Sequence, residues 1–194
     1  MSSSSSSSPD SSIQFMHTLA LLKETPRTGW VENKVNNVES VADHMYRMSV
    51  LCMMCPDASL DRNRMTKMAL CHDMAEALVG DISPAMKVPK DVKYAKEVAA
   101  LNEMMDPLGE DVHREEMKAL WHEYEDQETP EAKFVKDMDL LEMILQAAKY
   151  ENSQGKDLAG FFTSGEKIQH PWAKGIFERL RAQRGQTPAA PKQE

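Results

Sequence analysis

Ala69-Leu70-Cys71-His72-Asp73-Met74-Ala75-Glu76 is the stretch of this 194-residue chain from which its fold is read. An adjacent imidazole and carboxylate sit there in an apolar run. Backward from it, Met65 and Met68 continue an apolar face at helical spacing and Asp61 supplies an N-cap. Forward, Leu78 and Val79 carry the face to Gly80, a C-terminal stop. The pattern predicts one largely buried helix over residues 62–79. On such a helix His72 and Asp73 diverge by about 100°. Both still reach an ion just off the surface, and Glu76 returns to the face of His72 four residues on. Imidazole and carboxylate together suit a divalent transition ion. By itself the pair is a weak signal, since a His and an Asp bonded to each other or to water is the simpler reading. The apolar flanks count against that reading, because charged groups buried there need partners or a metal.

The rest of the chain also predicts helices. Ala, Leu, Glu, Lys and fifteen Met dominate, and Val and Ile form no alternating run. A first helix carries Ile13, Met16, Leu19, Ala20 and Lys23, with Pro26 closing it. Residues 25–39 read as a long connection of the kind that often serves function. Ser40 with Asp43 resembles a capping box, with a helix following to about residue 54. Residues 91–105 and 111–127 read as acidic, solvent-facing helices. Pro130 opens a long helix to about residue 152, with Phe134, Val135, Met138, Leu141, Ile144 and Leu145 on its buried stripe. Pro171 opens a last one to about residue 184. The expected class is all-α, a bundle of about six to eight helices over residues 13–184. A serine-rich tail (1–12) and a polar tail (185–194) are expected to be disordered.

Composition narrows the function. The net charge is −8 and the pI about 5.3, which argues against a duplex nucleic-acid surface. No apolar run approaches a membrane span, and the first residues lack the pattern of a secretory signal. Three cysteines imply no disulfide framework and fit a reducing compartment. An anionic substrate would need a local cation.

Three further pieces gain meaning beside His72-Asp73. His44 lies in the first turns of the helix after Ser40, where a packing or surface histidine is the plainer reading. Asp137 and Asp139 lie on the long helix, where Asp139 and Glu142 flank the buried stripe and solvated charges are the plainer reading. Asp81 follows Gly80 as a turn aspartate. The order His, His-Asp 28 residues later and Asp 66 residues after that, all on helices, resembles the HD superfamily of metal-dependent phosphohydrolases. Within it the chain is similar to the 5′-deoxynucleotidase family, the HD domain-containing protein 2 branch. The matching stretches are LKETPRTGW (22–30), ESVADHMYRM (39–48), ALCHDMAE (69–76) with VGDI (79–82), and EAKFVKDMD (131–139) with EMILQA (142–147).

The resemblance implies a homodimeric cytoplasmic enzyme that removes the 5′-phosphate of 2′-deoxyribonucleoside monophosphates. It implies metal ligands at His44, His72, Asp73 and Asp139, not Asp137. It makes Glu76 the catalytic glutamate and places Asp81 near the sugar, with Glu76, Asp81 and the Ile82 carbonyl as a second-ion site in some members. Trp30 matches a tryptophan beside the nucleotide. The bacterial branch has an arginine directly before it; here Gly29 stands there, and Arg27, three residues before Trp30, is the candidate phosphate contact. The donor set suits Mn²⁺, Co²⁺, Fe²⁺ or Ni²⁺, with Cu²⁺ a further candidate and Mg²⁺ at an oxygen-rich site. Another nucleotide phosphoester as substrate, or a metal- and nucleotide-binding module without turnover, are the alternatives. A pure binding module would have no need of Glu76.

Other features carry less. Cys52-Met53-Met54-Cys55 has zinc or redox spacing but lies in or at the end of an apolar helix, where buried free thiols are the simpler reading. His122-Glu123 lacks a histidine three residues on. His17, His113 and His170 have no partnered pattern, and the methionines suit a core or a dimer face.

Overall fold

The computed structural model describes residues 8–184. Among them are ten α-helices and no strand: α1 (Pro9–Ala20), α2 (Thr28–Glu32), α3 (Val41–Met53), α4 (Arg62–Cys71), α5 (Glu76–Val79), α6 (Lys90–Met105), α7 (Val112–Asp126), α8 (Pro130–Gln154), α9 (Ala159–Phe162) and α10 (Pro171–Arg184). Seven have ten residues or more, and α2, α5 and α9 are single turns. The long α8 is the axis: α3, α4, α7, α9 and α10 all pack on it. Its buried stripe includes Phe134, Val135, Met138, Leu141 and Ile144, and Met48, Met65, Met68, Met104 and Met105 fill the space around it. Pliable thioethers suit the irregular gaps between crossing helices.

The caps fall where the sequence puts them. Ser40 and Asp43 close a reciprocal capping box, Asp61 caps α4 and Thr129 caps α8. Gly80 ends α5 at φ 74°, a backbone state that side chains disfavour.

Four expectations change. The helix begins at Pro9 with Ser8 as its cap, so the disordered tail expected through residue 12 is helical from residue 9. Residues 1–7 and 185–194 lie outside the described residues, with the rest of the tail expectations. The connection 25–39 holds α2, and its ends are tied by a Pro26–Ser40 bridge. The helix expected over 62–79 is broken: α4 stops at Cys71 and α5 starts at Glu76. His72 Nδ1 donates to the Ala69 carbonyl, which a continuous α-helix would give to the backbone N–H of residue 73. Beyond it the N–H groups of Met74, Glu76, Ala77 and Leu78 bond three residues back rather than four. Finally, α6 and α7 are not merely solvated. They bury Ala100, Leu101, Met104 and Met105, and Leu120, Trp121 and Tyr124.

The capping box also fixes the start of the helix that carries His44. Ser40→Ala should cost about 1 kcal/mol, the usual worth of such a cap. Urea unfolding checks this, as a lowered midpoint at constant slope.

Candidate active site

Three elements bring the histidines and aspartates together. α3 supplies His44 one turn beyond the capping box, the tightened segment after α4 supplies His72 and Asp73, and the middle of α8 supplies Asp139. Ligand atoms of His44, His72 and Asp139 all lie within 4.8 Å of one another. His44 Nε2 is 3.3 Å from Asp139 Oδ1. Asp73 Oδ2 lies 3.0 Å from His72 Nε2 and 3.8 Å from His44 Nε2.

The far side of each imidazole decides which nitrogen is offered. His72 Nδ1 lies 2.9 Å from the Ala69 carbonyl, which can only accept, so Nδ1 carries the proton. His44 Nδ1 lies 2.5 Å from Glu142 Oε2, a carboxylate that Arg47 also grips. Both Nε2 atoms are buried without a hydrogen bond. Leaving such a group unsatisfied costs about 1–3 kcal/mol. Two Nε2 atoms converging beside two carboxylates fit a divalent ion in chemistry and arrangement. Their Nδ1 partners are of the kind that orients metal-ligating histidines.

The charges fit as well. His44 is pressed toward neutral by burial and by Arg27, but Asp139 and Glu142 outweigh both and lift it to about 9. A cation taken up here replaces a proton, so uptake and proton release are linked. Burial would raise the Asp73 and Asp139 carboxyls. Instead His72 and Arg27 hold the first well below the usual range, and Lys136 and His44 the second. Glu76 goes the other way: burial, reinforced by Asp73 and Asp81, pushes it well up. Its Oε2 is buried with no hydrogen bond.

His72, Asp73, Glu76 and Asp139 open onto a cleft of about 460 Å³, lined also by Arg27, Asp81 and Ile82 among others, with His44 buried behind them. The whole lining holds seven carboxylates and five Lys or Arg side chains. Arg27 spans the mouth, 3.3 Å from Asp73 Oδ2 and 3.7 Å from Asp81 Oδ1. Asp81 is anchored by the Thr28 N–H at 2.6 Å, and its carbonyl accepts from Thr28 Oγ1 at 2.7 Å. The connection 25–39 is thereby stitched to the turn after α5.

Two residues sit elsewhere than expected or do something else. Trp30 is 2% exposed and does not line the cleft. Its ring packs on Phe161 and Tyr150, and its Nε1 donates to Glu39 Oε1. The expectation that it packs on sugar or base is corrected: it lies behind the site and holds Glu39. Asp137 lines the cleft wall, but its carboxylate accepts the backbone N–H groups of Gln169 and His170, fastening the segment before α10 to α8. Glu39, His44 and Glu142 also converge, yet Trp30 and Arg47 already hold Glu39, and Arg47 holds Glu142. Cys52, Cys55 and Cys71 are free and buried, and burial pushes the Cys52 and Cys71 thiols up to about 12, away from the thiolate a metal needs.

Sequence reasoning missed Lys93, Tyr124 and Lys136. Tyr124 sits on a helix read as a solvated face. Lys136 stands one helical turn before Asp139, a spacing that could have flagged an ion pair.

An all-helical domain that brings two imidazoles and Asp139 together, with Asp73 beside the imidazoles, holds the donors of a metal-dependent type of site. The HD domain family matches residues 19–178, and the chain belongs to that family. It is 45% identical over 181 residues to the 5′-deoxynucleotidase HDDC2 of Homo sapiens, covering 92% of this chain and 88% of that one. It is 44% identical over 179 residues to the 5′-deoxynucleotidase hdd1 of Schizosaccharomyces pombe, covering 90% of each. Among solved structures, a conserved hypothetical protein of Pyrococcus furiosus is similar at a TM-score of 0.71 and 31% identity, over 88% of this chain and 99% of that one.

Asp139→Asn and Asp137→Asn separate ligand from fastener. With Mn²⁺ at 100 times its Kd, the wild type should gain about 2.7 kcal/mol. Thermal unfolding with and without Mn²⁺ should show Asp139→Asn losing that gain. Asp137→Asn should keep it and unfold earlier under both conditions.

Proposed function

We propose that this chain is a metal-dependent phosphohydrolase that releases the 5′-phosphate of 2′-deoxyribonucleoside 5′-monophosphates as inorganic phosphate. The observation that carries this reading is the pair of buried, unbonded Nε2 atoms of His44 and His72 facing Asp73 and Asp139, with the unpaired Glu76 carboxyl in the same cleft. The activity for which the human and fission-yeast relatives are named supports it.

His44, His72, Asp73 and Asp139 would hold the ion. Bound there, a divalent ion polarises a phosphoryl oxygen and makes a water acidic enough to attack at neutral pH. Mn²⁺ and Co²⁺ suit the two imidazoles and two carboxylates, with Fe²⁺, Ni²⁺ or Cu²⁺ further candidates and Mg²⁺ favoured only by a more oxygen-rich set such as Glu76, Asp81 and the Ile82 carbonyl. Arg27, held at the mouth by Asp73 and Asp81, offsets charge on the phosphoryl oxygens. Glu76 takes the proton of the attacking water and gives one to the leaving 5′-oxygen. Its raised affinity for a proton suits the second task, and ionisation beside a cation suits the first. Asp81 has Oδ2 on the Thr28 N–H and keeps Oδ1 to accept from a 3′-hydroxyl.

The proposal extends to a cytoplasmic homodimer. Buried reduced thiols fit a reducing compartment. Among the described residues no helix is long and apolar enough to cross a membrane. Tyr46, 70% exposed, with Met16 and Leu70, edges an apolar groove of about 730 Å³ between α1, α3, α4 and α7 that a second copy would cover.

Phosphate release from deoxy-AMP and AMP, after chelation and with Mn²⁺ or Co²⁺ restored, should be metal-dependent and faster for the deoxynucleotide. Glu76→Gln should lower kcat about 10²–10⁴-fold, the usual share of acid–base catalysis, with Mn²⁺ still bound. Equal rates on the two nucleotides would remove the deoxyribose preference; no release from either would remove the reading. Light scattering on a sizing column should give twice the monomer mass, and a monomer mass would remove the dimer.

A further inference from the structure

Asp139 Oδ2 accepts from Tyr124 Oη at 2.8 Å and from Lys136 Nζ at 2.8 Å. Those two donors also touch each other, Lys136 Nζ lying 3.0 Å from Tyr124 Oη. A carboxylate oxygen has two lone-pair directions, so Oδ2 is saturated by the protein. Oδ1 is the oxygen left facing His44 Nε2. The Tyr124 ring meanwhile lies against the His72 imidazole, centroids 4.8 Å apart, and Lys136 Nζ stands 5.3 Å from the centre of that ring. One tyrosine from α7 and one lysine from α8 thus touch two of the four candidate ligands.

We infer that Tyr124 and Lys136 form a clamp that allots one oxygen of Asp139 to the protein and the other to the ion, and are positioning residues for the metal site. The inference rests on the reading that an ion binds at His44, His72, Asp73 and Asp139. Without the clamp the Asp139 carboxylate is free to turn about its terminal torsion, and many of its orientations no longer present Oδ1 to the point that the imidazoles face. Lys136 also keeps the charge of Asp139 balanced before an ion enters. The clamp therefore sets affinity through a ligand's orientation, and its members bear on the chemistry only through Asp139 and His72.

The test is a Mn²⁺ titration of metal-free protein, read by loss of the free-ion electron paramagnetic resonance signal, with no nucleotide present. Partners that orient metal ligands are worth about 10–100-fold in affinity. Tyr124→Phe keeps the ring on His72, removes only the hydroxyl and leaves the charge of the site unchanged, and should weaken Mn²⁺ binding about 10-fold; Lys136→Met, which also removes a cation that repels the ion, should weaken it by less. Lys136→Arg, which keeps a charged donor, should restore most of that loss. Metal-free unfolding curves identify any variant that fails to fold, and the remaining variants then decide. Unchanged Mn²⁺ affinity in both Tyr124→Phe and Lys136→Met overturns the clamp. So does a Lys136→Met enzyme that loses turnover while binding Mn²⁺ as tightly as before, because that assigns the lysine to substrate. A wild type that binds Mn²⁺ but releases no phosphate from deoxy-AMP removes the proposed activity and leaves the clamp standing.

Discussion

The orientation of two imidazoles governs the site. His72 is turned by a main-chain carbonyl one turn back in its own segment, and His44 by the Glu142 carboxylate on α8, 98 residues further along the chain. Each bond fixes a proton on Nδ1 and aims Nε2 at the same point. Within the protein each Nε2 meets only a carboxylate oxygen, 3.0 Å away for His72 and 3.3 Å for His44. Much of the surrounding structure can be understood as support: Arg47 grips Glu142 and Glu39, Trp30 holds Glu39, and Phe161 and Tyr150 hold Trp30.

The break between α4 and α5 belongs to the same constraint. The Ala69 carbonyl bonds the His72 side chain, and the following backbone tightens to three-residue bonding. That change of pitch sets Asp73 beside His72 and carries Glu76 into the cleft as the first residue of α5. Electrostatics then divides three nearby carboxyls by their neighbours. Asp73 and Asp139, beside cations and imidazoles, are held ionised; Glu76, beside Asp73 and Asp81, is pushed toward the protonated form. Carboxyls forced apart in proton affinity within one cleft are the usual basis for separating ligand from acid–base roles.

The spacings of His44, His72-Asp73 and Asp139 were legible because His44 and Asp139 stand on helices, and His72-Asp73 directly after one, whose apolar faces leave little freedom of placement. The capping boxes and proline starts were legible because their chemistry is local. What depends on distant packing was not. The helical turn break at residue 72 comes from a side chain competing for a carbonyl, a contest that apolar periodicity does not register. Trp30 was placed at the substrate on resemblance, whereas its burial is set by Phe161, whose short helix carries no sequence signal of its own. Tyr124 lies on a helix rich in exposed Glu and Asp and Lys93 on one with charges of both signs, and their inward faces emerge only when those helices pack. The serine-rich start misled because Ser8 and Pro9, polar in composition, are also good first residues of a helix.

The most direct test of the account is a crystal of the Mn²⁺-loaded protein, with the ion located by its anomalous scattering. A single principal peak in bonding contact with His44 Nε2, His72 Nε2, Asp73 and Asp139 Oδ1 is the predicted result. A peak seated between Glu39 and Glu142, or one that leaves either histidine Nε2 uncoordinated, would contradict it.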